Sequence, residues 1–216
     1  MGKVKAHLSM SLDGYVAGPE QTLETPLGRG GERLHEWAFR LKSFRELHGM
    51  PDGETGPDDD IVAEWHGNTG ATIMGRHMFS GGSGPWEDDP NAGGWWGDDP
   101  PFHGPVFVLT HHPRETVAKQ GGTSYSFVTE GVETALERAQ AVAGDADVEV
   151  GGGADVGQQF LNAGLLEELN IHLVPVLLGS GGVRLLDGVD PTELELTGVV
   201  ESPYVTHLRY RPRVLV

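Results

Sequence analysis

The residues best suited to chemistry are Val148-Glu149-Val150-Gly151-Gly152-Gly153-Ala154-Asp155-Val156. A short β-branched run meets three glycines, and Val156, Gln159, Phe160 and Ala163 then recur at helical spacing up to Gly164. A strand ending in bare backbone, aimed at a helix N-terminus, can hold an anion. The unpaired amides and the helix dipole favour negative charge, and glycine lets a pyrophosphate approach the main chain. A flexible strand–helix turn is the plainer reading of the same glycines.

Gly151 and Gly153 only loosely match G-x-G-x-x-G, because Val156 stands where the last glycine belongs. No acidic residue follows at the ribose-binding distance, where the chain reads Val174-Pro175-Val176-Leu177-Leu178. The glycines also lie in the last third of the chain rather than in a first βα turn. An ordinary Rossmann dehydrogenase is therefore disfavoured.

Two further segments place cations and hydroxyls after short apolar runs. Gly75-Arg76-His77 follows Ala71–Met74, so Arg76 opens a helix and could fork onto a phosphate. Thr110-His111-His112-Pro113-Arg114 follows the run from Val106. Ligands of open α/β sheets collect beyond the carboxyl ends of strands. Two cationic corners and an amide cradle match a dinucleotide with an extra phosphate on its adenosine ribose, which favours NADPH over NADH. A salt bridge at Arg76 and ordinary loop histidines at His111 and His112 are the alternatives. His66, His77, His103, His111 and His112 lack H-E-x-x-H spacing, so no metal is expected.

The elements that must position these groups alternate, which points to α/β architecture. Val4, Ala6, Leu8 and Met10 mark a first strand, followed by a Gly-rich loop from Ser11 to Pro19. Leu34, Trp37, Ala38, Leu41 and Phe44 predict one amphipathic helix ending near His48-Gly49. Asp52 to Asp60 reads as a solvated acidic loop, without the alternation of an EF-hand at Asp58-Asp59-Asp60. Residues 81 to 105, rich in Gly, Pro and Trp, read as a long loop serving as a pocket lid or an oligomer contact. Tyr125–Val128 is strand-like, and Val132, Ala135, Leu136, Ala139 and Val142 predict a helix capped by Thr129. Leu169 to Leu178 predicts a strand with an edge or bulge at Pro175. Tyr204 to Arg211 is expected to end the sheet.

With 216 residues, no internal repeat and no linker, one domain over 1–216 is expected. The N-terminus from Met1 to Leu8 has no apolar core of a secretion signal, and no apolar run would cross a bilayer. Zero cysteines exclude disulfides and thiolate chemistry, so cytoplasm is the simplest location. A formal charge of −17 repels phosphate backbones and argues against nucleic-acid binding.

The ordered set of motifs resembles the dihydrofolate reductase-like fold, and within it the C-terminal reductase domain of the bifunctional riboflavin biosynthesis protein RibD. The pieces are Ser9-Met10-Ser11-Leu12-Asp13-Gly14, Met74-Gly75-Arg76, Val108-Leu109-Thr110, Gly151-Gly152-Gly153-Ala154, and Leu173–Gly179 with Gly181-Gly182. The resemblance implies a central, mostly parallel sheet flanked by helices and hydride transfer from NADPH to a small unsaturated heterocycle. It puts Ala17 and Gly18 near the nicotinamide and Gly75, Arg76, His77, Thr110 and His111 at the adenosine end. Gly151, Gly152, Gly153, Ala154, Asp155 and Val156 would hold the pyrophosphate. Homodimers are implied as well. Two departures bear on the substrate. Tyr15 stands where RibD reductases often carry a lysine. Matched on Trp37, the helix carboxylate of true dihydrofolate reductases falls at Leu34, with Glu32 and Glu36 only nearby.

Hydride transfer requires aligned carbons, excluded water and a proton source. Asp13, Glu36 and His35 are the candidate donors, although an Asp before Gly also caps loops. Tyr15, Trp37 and Phe102 are the candidate substrate contacts. The rivals are a non-enzymatic NADPH sensor, a dihydrofolate-type pterin reductase, and a flavin- or deazaflavin-dependent reductase.

Overall fold

In a computed structural model, which describes residues 2–214, Val4, Ala6 and Leu8 are buried on one face of β1 (Val4–Ser11). Lys5, His7, Ser9 and Ser11 take the opposite face, as the two-residue period of a strand requires. β1 lies centrally in a nine-stranded sheet of order β10-β11-β8-β1-β7-β3-β4-β6-β5. Its other members are β3 (Thr69–Gly75), β4 (Pro105–Leu109), β5 (Val117–Ala118), β6 (Ser124–Val128), β7 (Asp147–Val150), β8 (Glu168–Val174), β10 (Thr192–Glu201) and β11 (Thr206–Val214). The run β8-β1-β7-β3-β4-β6 is parallel throughout, and the flanking strands are antiparallel. A separate antiparallel pair joins β2 (Tyr15–Ala17) to β9 (Val183–Arg184). Met1, Leu215 and Val216 of the expected 1–216 unit lie outside the described residues.

Helices cover both faces. On the apolar side of β1, α5 (Val132–Ala143) and α6 (Ala154–Asn162) bury Ala135, Leu136, Ala139, Val156 and Phe160 against Leu8, Ile73 and Val150. Complete burial of Phe160 contributes roughly 1.5–3 kcal/mol. On the other side, one half of the sheet carries α1 (Glu36–Phe39), α2 (Lys42–Leu47) and α3 (Pro57–Gly67), with Leu34, Trp37, Leu41, Val62 and Val205 as their core. The other half carries α4 (Arg76–Ser80) and the tryptophan loop, packed around Phe79, Val106, Val108 and Tyr125.

Several sequence expectations change. The single helix expected over 34–47 is broken, because Leu41 takes an extended backbone between α1 and α2. The acidic loop is in part α3: Pro57 begins it, and Asp58, Asp59 and Asp60 occupy its first turn, where the dipole favours carboxylates. Gly131, not Thr129, precedes α5, and no side chain caps it; the Thr129 hydroxyl turns to Glu130. β8 stops at Val174 rather than continuing through Pro175, which cannot donate to a ladder. β11 does not end the sheet, since β10 pairs along its outer side. The tryptophan loop lies on its own sheet: Trp95 and Trp96 both donate their indole N–H to the Met78 carbonyl, at 2.8 and 3.0 Å.

Candidate active site

β7 ends at Val150, and Gly151–Gly153 turn the chain into α6. The turn is anchored from below: Gly151 N–H donates to the Ile73 carbonyl at 2.8 Å, and Gly75 N–H reaches the Gly152 carbonyl at 3.4 Å. Gly153 precedes the helix without a side-chain cap, so the amides of Ala154, Asp155 and Val156 have no carbonyl partner inside the helix. Gly153 and Asp155 are exposed, Gly152 is half-buried, and Gly151, Ala154 and Val156 are buried. Gly75 faces the start of α6 closely: a Cβ there would lie 2.9 Å from Val156 Cγ2. Its missing side chain lets α6 start directly beside the end of β3.

The other expected corners adjoin this one. Ile73 pairs with Val150, Gly75 with Leu109, and Leu109 with Val128, so the carboxyl ends of β7, β3, β4 and β6 stand side by side. Thr110 N–H donates to the Val128 carbonyl at 3.0 Å, and the Thr110 hydroxyl accepts from His112 N–H at 3.1 Å. His77 and His111 are exposed at this edge.

Arg76 does not serve this edge as expected. Its guanidinium is buried, ion-paired with Asp89 at 2.6 Å, bonded to Ser80, and covered by the Trp86 ring at 3.5 Å. Burial draws its pKa down and the Asp89 bond opposes that shift. Burial likewise raises the Asp89 carboxyl, but bonds from Ser80 and Arg76 outweigh it and hold the group below its ordinary range.

The first loop is a clamp. Asp13 accepts hydrogen bonds from the Ser11 hydroxyl (2.6 Å), Gly179 N–H (2.8 Å) and Leu178 N–H (3.2 Å). The Ser11 bond is the largest of the effects that keep its carboxyl below the usual range. An anion so held ties the 176–179 segment to β1 and is a poor proton donor, which corrects the catalytic expectation. Tyr15 faces Arg184, whose guanidinium carbon lies 5.0 Å from the ring centre. Ala17 and Gly18 are buried beneath the 27–31 turn; Gly18 N–H donates to the Leu27 carbonyl, and a Cβ on Gly18 would meet the Arg29 carbonyl at 2.1 Å.

Three other expected residues also take different places. Burial pushes the half-buried His35 down to about 4, so it is neutral near pH 7 and carries no acidic proton. Trp37 is a core residue, packed on His172 and His207, with its indole N–H donated to Ser9 Oγ at 3.1 Å. Phe102 precedes β4, at the end of the sheet opposite the cleft, and packs on Trp96 and Tyr125. Glu36 remains exposed, on a groove of about 320 Å³ lined by residues 25–30, Glu32 and Arg33.

Sequence reasoning missed a buried polar chain beneath Trp37. Asp58 Oδ1 lies 3.0 Å from His207 Nε2, His207 Nδ1 lies 2.7 Å from His172 Nδ1, and His172 Nε2 lies 3.2 Å from His7 Nδ1. The signal was present, since His7, His172 and His207 all occupy the face of their strands opposite the apolar core. Among the described residues no cluster has the form of a metal site, and no helix is long and apolar enough to cross a membrane.

The glycine turn, the Gly75-Arg76 start of α4 and the Asp13 clamp all lie within the span matched by one family. A model of the RibD C-terminal domain matches residues 2–208. This chain belongs to the RibD C-terminal domain family. A comparison with curated proteins finds no match. Among solved structures, a protein described as a riboflavin biosynthesis protein from Shewanella sp. PV-4 shares 20% identity and a TM-score of 0.61, over 99% of this chain and 100% of its own. The Thermotoga maritima deaminase/5-amino-6-(5-phosphoribosylamino)uracil reductase shares 14%, with a TM-score of 0.58. That match covers 98% of this chain but only 57% of the longer protein. The Saccharomyces riboflavin biosynthesis reductase Rib7 shares 15% over 99% of this chain and 90% of its own, with a TM-score of 0.52. At these identities the likeness is one of fold. For a RibD C-terminal domain the implied cofactor is a nicotinamide dinucleotide. The bare amides around Gly152–Val156 fit its pyrophosphate, whereas the internally paired Arg76 does not fit an additional ribose phosphate.

Proposed function

We propose that the chain is a reductase that passes a hydride from a reduced nicotinamide dinucleotide to a ribosylamino-pyrimidine or related small heterocycle. The observation that carries this reading is the open amide cradle at Gly151–Val156, set beside the β3 and β4 ends. When bound, the reduced nicotinamide supplies the hydride; NADPH is the form the family implies. The chain's part is to orient and enclose. Helix-start amides and the α6 dipole hold the pyrophosphate, while Gly75, His77, Thr110 and His111 line the adenosine end. Ala17 and Gly18 shape the nicotinamide end under the 27–31 turn, Tyr15 and Arg184 meet the substrate, and Glu36 is the candidate proton relay. One domain over 1–216, a homodimer and a cytoplasmic location complete the proposal.

Tryptophan emission tests it directly, since Trp86 donates its indole N–H to the His112 carbonyl at 2.9 Å, beside the adenosine corner. Energy transfer to added dinucleotide is expected at micromolar concentrations, together with cofactor oxidation when 5-amino-6-(5-phosphoribosylamino)uracil is supplied. No binding at millimolar cofactor would end the reading; binding without turnover would leave a sensor.

A further inference from the structure

Both arginines that follow the ends of β3 and β4 are held by the tryptophan loop. Arg76 is 6% exposed, and its Nη1 lies 2.6 Å from Asp89 Oδ2, whose side chain is 3% exposed. Asp89 is itself fixed by the Ser80 hydroxyl at 2.7 Å and by Asn91 N–H at 2.8 Å. Arg114 bonds the Ala92 carbonyl and stands 4.9 Å from the centre of the same Trp86 ring that covers Arg76. Arg76 Nε and Nη2 have no acceptor but are buried, so any ligand reaching them would first have to displace the loop.

A phosphate on the adenosine ribose carries between one and two negative charges and requires unpaired donors. At this corner it would meet a cation already neutralised by a buried carboxylate. Arg114 keeps its charge but is turned to the Ala92 carbonyl and the Trp86 ring, and the other side chains at the edge, Thr110, His77 and His111, suit a neutral ribose hydroxyl. A net charge of −17 supplies no attractive field to compensate. We infer that this site selects the dinucleotide without the extra phosphate, NADH over NADPH, and that Asp89 is the specificity-determining residue. Selectivity of this kind is a difference of affinities, obtained here by withdrawing a cation from the phosphate position. The inference rests on the reductase reading above and reverses the preference expected from the sequence.

Parallel fluorescence titrations with NADH and NADPH, and competition by ADP against 2′,5′-ADP, provide the test. The wild-type protein is expected to bind NADH roughly tenfold or more tighter, with ADP the better competitor. Asp89→Asn keeps the shape and removes the charge, and should move the ratio toward NADPH. Equal or tighter NADPH binding by the wild type overturns the inference and leaves the reductase reading intact. A folded Asp89→Asn protein with an unchanged ratio also overturns it; if that variant does not fold, the wild-type ratios decide alone. Binding of neither dinucleotide removes the reductase reading and this inference together.

Discussion

Asp89 closes onto Arg76 beneath the ring of Trp86, so a residue of the long loop neutralises the residue that opens α4. The contact ties the loop to the end of β3. Truncating one member leaves the other charge buried. Asp89→Ala should therefore cost about 3–5 kcal/mol in urea unfolding. Replacing both members, Arg76→Met with Asp89→Leu, should recover most of that loss, and a double variant as unstable as Asp89→Ala would show that the pair itself is not the cause.

Gly75 and Val156 make a second close contact, with only 2.9 Å between a notional Gly75 Cβ and Val156 Cγ2. Gly75→Ala should push α6 from β3, lowering stability by roughly 1–3 kcal/mol and weakening dinucleotide binding. Adding Val156→Ala makes room, so thermal melts of the double variant should show partial rescue. Simple additivity of the two substitutions would count against this account.

Asp13 is a positioning group. Asp13→Asn keeps an acceptor but loses the charge that faces Ser11, Leu178 and Gly179. Amide exchange at Leu178 and Gly179 should quicken, as seen by mass spectrometry. Because the native carboxyl already titrates below its usual range, the pH profile of any reductase activity should show no limb near neutrality from this residue.

Acid should unfold the protein through its histidines. Burial holds His35 and His66 at about 4, against an ordinary 6.5, and depresses His7, His172 and His207 as well. The unfolded chain thus takes up protons before the folded one does. Stability from these rings is present above pH 6.5 and is lost on acidification, for His35 and His66 as pH falls toward 4 and on the order of 1 kcal/mol or more each. Glu149 acts in the opposite sense: burial raises its pKa well above 4.5, so its contribution is lost as pH rises through that raised value. A melting temperature that stays flat from pH 7 to 4 would show that the rings are not buried in their neutral form. His172→Phe should flatten the acid limb.

Much of the frame was legible. The alternation of Val4, Ala6 and Leu8 and the helical period of Val132, Ala135, Leu136 and Ala139 reflect burial on one face, which leaves a local imprint. The start of α3 was not read as a helix: Pro57 followed by three aspartates is an N-terminal signal, but those charges resembled a solvated loop. The alternating Leu194 and Leu196 of β10 were overlooked because an edge strand has only one partner to reveal it.

The site divides in the same way. Gly151–Gly153 before an amphipathic run determined an uncapped strand-to-helix turn without any tertiary information, because bare amides at a helix start follow from backbone chemistry. Which cations face that cradle did not follow. Arg76, Arg114, Trp37 and Phe102 have the right types at the right places, yet their partners come from other parts of the chain. A guanidinium bonds whichever carboxylate the fold brings within reach, and only the folded loop brings Asp89 there.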